Sequence, residues 1–228
     1  MDVDSSLKMK VTSIFKFFQQ ISSNHSEILK VGKASTIDKG ICWVLINFRV
    51  HIYKYPHLND ELVVATHPGE DNGLLFPRYY QIYSKKGELL VSGSSTWVTL
   101  DINTHRLLMR PFGNRKLPHE HHKDDIPLPT KINESFLNEV EARVVRLNDT
   151  DLNAHLNNTK YVDYILDTYD STYFENKEVE EIIIHYEKEV KEKQIVHLHK
   201  LDDIIIGVLD DKVAFKSQLI MRKRNDQN

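Results

Sequence analysis

Cysteine is nearly absent from this chain. Cys42 is the one cysteine among 228 residues, so no intrachain disulfide can form and a reducing compartment is expected. No apolar run approaches membrane-spanning length, and no signal-peptide pattern opens the chain. An excess of one charge is also missing: 30 basic residues against 33 acidic ones give a formal net charge of −3. The basic surplus on which nucleic-acid binding draws is therefore lacking. The expectation is a soluble cytoplasmic protein, in one large domain or two small ones, whose 40% of hydrophobic residues suffice for a core.

The most informative stretch runs from Asn148 to Tyr161. Read as extended backbone, it sends Asp151, Asn153 and His155 to one side and Leu152, Ala154 and Leu156 to the other. The period then changes. Tyr161, Val162, Ile165, Leu166 and Tyr169 recur at helical spacing, which predicts a helix over residues 158–173 with Asn157 or Asn158 as N-cap. A polar triad leading into a helix N-terminus offers unpaired N–H groups and the positive dipole end to a developing oxyanion. An ordinary loop-to-helix junction carries the same residue types, so the pattern alone leaves cap and site both open.

In chain order, a short strand ends near Asp4, and Asp4 or Ser5 caps a helix over residues 7–29. Its apolar stripe includes Met9, Val11, Ile14, Phe15, Phe18, Ile21 and Ile28. Four strand-like runs follow at 42–52, 61–66, 76–83 and 89–100, with Gly93 marking a bulge or a close approach. Residues 111–129 hold four prolines and many charges, and read as a linker with little that could form a core. Within them, His119-Glu120-His121-His122 matches no standard metal spacing and reads as a solvated loop. The second half repeats the order: a strand at 137–147, the helix, then strands at 179–190, 194–201, 204–209 and 213–221. Two copies of β-α-β-β-β-β point to an α+β chain with an antiparallel sheet around a helix in each half. Cys42, inside an apolar run beside Trp43, reads as core packing.

The string Asp151-Leu152-Asn153-Ala154-His155-Leu156-Asn157-Asn158-Thr159-Lys160-Tyr161-Val162 resembles the signature of acyl-acyl-carrier-protein thioesterases. Glu88-Leu89-Leu90, the run from Ser95 to Asp101 and Thr104-His105-Arg106-Leu107 are similar to the last strand of that family's first unit. Tyr55-Pro56 with Asp60 is similar to its turn before the second long strand. Leu58 and His67 stand where aromatic residues are frequent, and His105 where arginine is. The resemblance covers roughly residues 3–221. It implies a tandem double hot-dog fold, with two antiparallel sheets each wrapped round a long central helix. The N-terminal unit would span residues 1–112, the crossing linker 113–136 and the C-terminal unit 137–228. Plant relatives carry a tyrosine, a glutamate three residues on and then a cysteine. Here those positions are Tyr186, Glu189 and Val190, which excludes a thiol nucleophile there and keeps the glutamate. Periodicity alone reads Glu189 as one charge in the run from Glu187 to Glu192.

The function implied is hydrolysis of fatty acyl-carrier protein to free fatty acid and carrier, ending fatty acid synthesis. A thioester needs a polarised carbonyl, an activated water and little help for its leaving thiol. The helix N-terminus at Asn157 and Asn158 would hold the carbonyl oxygen, and Asn153 would orient the carbonyl or the water. His155 or Glu189 would activate water, with Asp151 holding His155 or Asn153; direct attack by Glu189 stays open. The aromatic first half would house the acyl chain, with Phe15, Phe18 and Trp43 bordering the tunnel. The partner would be acyl carrier protein with its acylated phosphopantetheine arm. Basic surface for docking it comes from Lys8, Lys10, Arg110, Arg115, Lys116 and the tail Arg222-Lys223-Arg224. No cofactor, metal, nucleic acid or membrane span is expected, and a homodimer stays open. The alternatives are an acyl-coenzyme A thioesterase and a non-catalytic acyl-binding module. The second needs none of Asp151, Asn153, His155 and Glu189.

Overall fold

A computed structural model describes residues 2–133 and 138–224. The chain forms two compact units, Met1–Pro129 and Thr130–Asn228.

In the first unit, helix α1 spans Val11–Ile28. Its buried face carries Val11, Ile14, Phe15 and Phe18, the spacing of an apolar stripe on a 3.6-residue period. The helix starts later than expected. Asp4 does not cap it; its carboxylate instead accepts the N–H groups of Ser6 (2.8 Å) and Lys8 (3.1 Å), closing a turn with Leu7 at φ 62°. An aspartate two to four residues ahead of free N–H groups gives the backbone an alternative to helix. After α1 comes a short helix that periodicity did not announce, α2 at Lys33–Thr36, and then a 3-10 turn at Ile37–Lys39.

Strands β1 (Ile41–Ile52), β2 (Leu62–Pro68), β3 (Phe76–Ser84) and β4 (Leu89–Asp101) form an antiparallel array in the order β2-β3-β4-β1. Helix α1 lays aromatic side chains on it. Phe15 and Phe18 meet Phe48 at ring distances of 4.9 and 6.1 Å, and Phe18 stacks on Tyr80 at 4.8 Å. Gly93 is a close approach and not a bulge. A Cβ there would lie 2.8 Å from the Phe18 ring, while the ladder runs through Gly93 in register with Val50 and Tyr80.

Residues 111–129 are irregular, yet they are neither coreless nor uniformly solvated. Leu117 is buried with Val31 and Phe76. Four side chains on β3 and β4 hold the segment further on. Tyr83 donates to the Asp124 carboxylate (2.9 Å) and Gln81 to that of Asp125 (3.0 Å), while the hydroxyls of Ser92 and Ser94 donate to the carbonyls of Asp124 and Pro127. His67 pairs with Asp125 at 3.0 Å, and the His122 ring lies 4.2 Å from that of His67. The outward polar positions of two strands thus supply donors that carboxylates and carbonyls of the irregular segment accept, and composition alone does not reveal such pairing.

The second unit contains β5 (Asn138–Val144), β6 (Lys177–Tyr186), β7 (Ile195–Leu201), β8 (Ile204–Leu209) and β9 (Lys212–Lys223), antiparallel in the order β6-β9-β8-β7-β5. The first residue expected for β5, Leu137, lies outside the described residues. Helix α3 is only Lys160–Leu166, so the expected run to residue 173 and the long central helix of this half are corrected. Thr168 turns its hydroxyl back onto the Ile165 carbonyl (2.7 Å), and Asp170 caps a separate 3-10 turn at Ser171–Glu175 by accepting from the Thr172 N–H. These local side-chain bonds end the helix although the apolar spacing continues. Strand β6 also stops short of residue 190. The N–H groups of Glu187 and Lys188 both turn to the Ala214 carbonyl, at 2.9 and 3.0 Å.

Candidate active site

Residues 150–156 form a tight loop where alternation predicted extended chain. Thr150 pairs with Leu156 across it, and the Asp151 N–H reaches the His155 carbonyl at 2.8 Å. Ala154 sits at φ 60° and donates to the Asp151 carbonyl at 3.0 Å. The cause is aspartate turn chemistry. Oδ1 of Asp151 accepts the N–H groups of Asn153 (2.8 Å) and His155 (3.3 Å), mimicking a backbone turn. Leu152 is accordingly no anchor, at 90% exposed, and Asn153 and Ala154 are exposed as well. The anchor is Leu156, which is buried and donates its N–H to the Val190 carbonyl at 2.7 Å.

That crossing brings His155 opposite Lys191 and sets its Nε2 3.4 Å from Oε2 of Glu189. The two side chains stay reachable by water, at 25% and 48% exposed. Neighbouring charges go elsewhere: Glu187 pairs with Lys216 at 2.8 Å and Lys188 with Asp210 at 3.3 Å. Geometry thus separates Glu189 from the other charges of its run, which periodicity could not. Below lies Tyr161, buried and edge-on to Tyr186 and Phe215, both at 5.1 Å. Burial, and then the charges of Glu189 and Asp151, push its hydroxyl pKa well above the ordinary tyrosine value. Tyr186 in turn donates to the Asn158 carbonyl at 3.2 Å. The sequence showed Tyr161 only as part of an apolar stripe.

The donors expected at the start of α3 are largely engaged. Thr159, and not Asn157 or Asn158, is the N-cap. Asn157 accepts the Thr159 N–H on Oδ1 (2.9 Å) and the Lys160 N–H on its carbonyl (2.8 Å), while its own N–H donates to Asp149. The Asn153 side-chain amide is exposed and makes no hydrogen bond among the described residues.

The first unit contains a cavity of about 210 Å³ walled by Val31, Trp43, Phe76, Arg78, Trp97 and Leu117, among others. Trp43, one of the three expected at an acyl tunnel, borders it. Phe15 and Phe18 do not, because their rings are spent in the core on Phe48 and Tyr80. Trp97 faces Phe76 across β3 and β4, a pairing that could be found only once the register is known. Of the basic residues singled out for docking, Arg110, Arg115 and Lys116 line one open cleft of about 430 Å³. Of the others, Lys223 is exposed, while Lys8 is buried near the Tyr55 ring, Lys10 pairs with Asp2, Arg222 with Glu178, and Arg224 donates to the Phe174 carbonyl.

Residues 1–110 match the family model of the acyl-ACP thioesterase N-terminal domain, and residues 131–227 that of the C-terminal domain. A chloroplastic dodecanoyl-acyl-carrier-protein hydrolase of Cinnamomum camphora is 27% identical over 194 residues, which is 78% of this chain and 51% of the relative. A chloroplastic palmitoyl-acyl carrier protein thioesterase of Arabidopsis thaliana is 24% identical over 203 residues, 82% of this chain and 49% of the relative. The chain thus spans about half the length of these curated relatives. Among solved structures, an acyl-ACP thioesterase from Bacteroides thetaiotaomicron superposes with a TM-score of 0.89 at 17% identity, covering 96% of this chain and 93% of the other. The 12:0-ACP thioesterase from Umbellularia californica gives 0.79 at 19% identity, covering 97% and 93%. The fold is the α+β double hot-dog of these proteins.

Proposed function

This chain belongs to the acyl-ACP thioesterase family, and we propose that it hydrolyses the thioester of a fatty acyl chain on acyl carrier protein, releasing the free fatty acid. The observation that carries the reading is the His155–Glu189 pair, 3.4 Å apart at the end of a loop organised by Asp151. One water at that pair gives up its proton as its oxygen attacks the thioester carbonyl carbon. The exposed amide of Asn153 donates to the oxyanion that forms. When the tetrahedral intermediate collapses, the carbon–sulfur bond breaks and the pair returns the proton to the departing thiolate. Asp151 takes no part in proton transfer; it holds the loop through the backbone of Asn153 and His155. Cys42 lies on β1 with its thiol toward the Leu100 carbonyl at 3.6 Å and takes no part in these steps.

The cavity beside Trp43 receives the acyl chain, and the cleft of Arg110, Arg115 and Lys116 meets the acidic carrier. A reducing compartment, the cytoplasm, suits a chain with a single cysteine; the curated relatives are chloroplastic, and among the described residues no helix is long and apolar enough to cross a membrane. The test is a thiol-release assay with acyl-carrier protein and the matching coenzyme A thioester at rising salt. Turnover on the carrier should be faster and fall more steeply, because screening weakens exposed charge pairs. Equal rates with equal salt dependence would leave the carrier without support, and no thiol release from either would remove the hydrolase reading.

A further inference from the structure

Arg78 on β3 is 7% exposed, and among the described residues no carboxylate pairs with it. Its guanidinium meets neutral groups only: Nη1 lies 3.1 Å from His25 Nδ1 and 3.3 Å from Thr66 Oγ1, and Nη2 lies 3.3 Å from Ser26 Oγ. The imidazole offers no countercharge in either protonation state, being neutral or cationic. Asp125, the carboxylate bound to the outward side chains of β2 and β3, is taken by His67 and Gln81. Arginine stays protonated even when buried, so this is a cation withdrawn from water with no ionic partner.

Arg78 is also part of a wall. It lines the 210 Å³ cavity whose other sides are largely apolar, from Val31, Trp43, Phe76, Trp97 and Leu117, with exposed Lys33 at the edge. A purely hydrocarbon ligand would pack on the apolar walls and leave the guanidinium as it is, without an ionic partner. A carboxylate would complete it, because two parallel N–H···O bonds match the planar fork. We propose that this cavity binds an apolar chain bearing a carboxylate, with Arg78 as the counter-ion that selects it. The inference rests on the acyl reading only in taking this cavity as the place of an aliphatic chain. Two sources share the chemistry: a free fatty acid, which is the product of the proposed reaction, and an acyl thioester whose chain carries a second, distal carboxylate.

Calorimetric titration of the full chain with decanoate, decanol and methyl decanoate tests it. The acid should bind about tenfold more tightly, or better, than either neutral ligand of the same length. Arg78→Met should abolish that preference while keeping the binding of decanol. Equal affinity for acid and alcohol in the unaltered protein would overturn the proposal, as would a preference that survives Arg78→Met. If that variant does not fold, the comparison on the unaltered protein decides alone. Inhibition of thiol release by decanoate, without faster turnover of a dicarboxylic monothioester, assigns the site to the product; faster turnover of the monothioester assigns it to substrate. A protein that binds decanoate through Arg78 but releases no thiol would sink the hydrolase reading and leave this one standing.

Discussion

Asp151 accepts two backbone N–H groups of the candidate site and also carries a charge near it, and substitution can separate those roles. An asparagine keeps the accepting oxygen, so Asp151→Asn should retain most turnover, whereas Asp151→Ala frees the loop and should lower kcat by about tenfold. Similar losses in both variants would mean that the negative charge itself matters. For the pair that the loop presents, His155→Ala and Glu189→Gln should each reduce turnover by about a hundredfold or more, the scale of a lost general base. Both are solvent-reachable, so melting temperatures should stay close to the parent, and Cys42→Ala should leave most activity intact. Near-normal turnover in both the His155 and Glu189 variants would dismiss the pair. At this scale the sequence was a poor guide to geometry. Alternation placed Asp151, Asn153 and His155 on one side of an extended chain, and the structure closes them into a turn instead, because period-2 spacing cannot distinguish a strand from a turn that an aspartate closes on itself. Glu189 was visible only by family resemblance; its partner emerged from the pairing of His155 with Lys191, a contact between distant segments.

Strands were the legible elements and helix ends were not. The runs of the first half lie within two residues of the observed strands, since long aromatic and β-branched stretches leave the chain little choice. The starts of α1 and the end of α3 were misplaced by side chains that bond locally: Asp4 ahead of one, Thr168 and Asp170 behind the other. Glycines inside strands deserved closer reading. Gly207 on β8 faces Phe215 on β9, and a Cβ there would stand 2.0 Å from the ring. That ring in turn supports Tyr161 beneath the candidate site. Gly207→Ala should therefore destabilise by roughly 1–3 kcal/mol. That corresponds to several degrees in a thermal melt, with some activity lost as Tyr161 shifts. An unchanged melting temperature would show that Phe215 moves aside freely.

For the molecule as a whole, pH reports on the first unit. His25 and His67 both have pKa values lowered from 6.5, each chiefly by burial. Arg78 adds to the effect at His25, and at His67 the Asp125 contact opposes it without reversing it. A depressed histidine stays neutral in the fold while the unfolded chain takes up the proton. Unfolding then gains protons as pH falls through 6.5, and stability declines below that value. Melting temperature measured between about pH 5 and pH 7 should fall on the acid side, and the slope should flatten in His25→Asn with His67→Asn. An acid limb that persists unchanged in the double variant would place the titrating groups elsewhere. The repeated element order made the two-unit plan readable from sequence, because each half carries its own strands and helix. The cavity was not readable, since its wall draws on residues from Gln19 to Leu117 that only the register of β1, β3 and β4 assembles. That wall has an optical consequence. The chain holds two tryptophans, and both Trp43 and Trp97 border the cavity, their indole N–H groups donating to the Val31 carbonyl and the Ser95 hydroxyl. Ultraviolet emission excited beyond the tyrosine band thus arises wholly at this one wall, and the protein carries a built-in fluorophore for whatever enters.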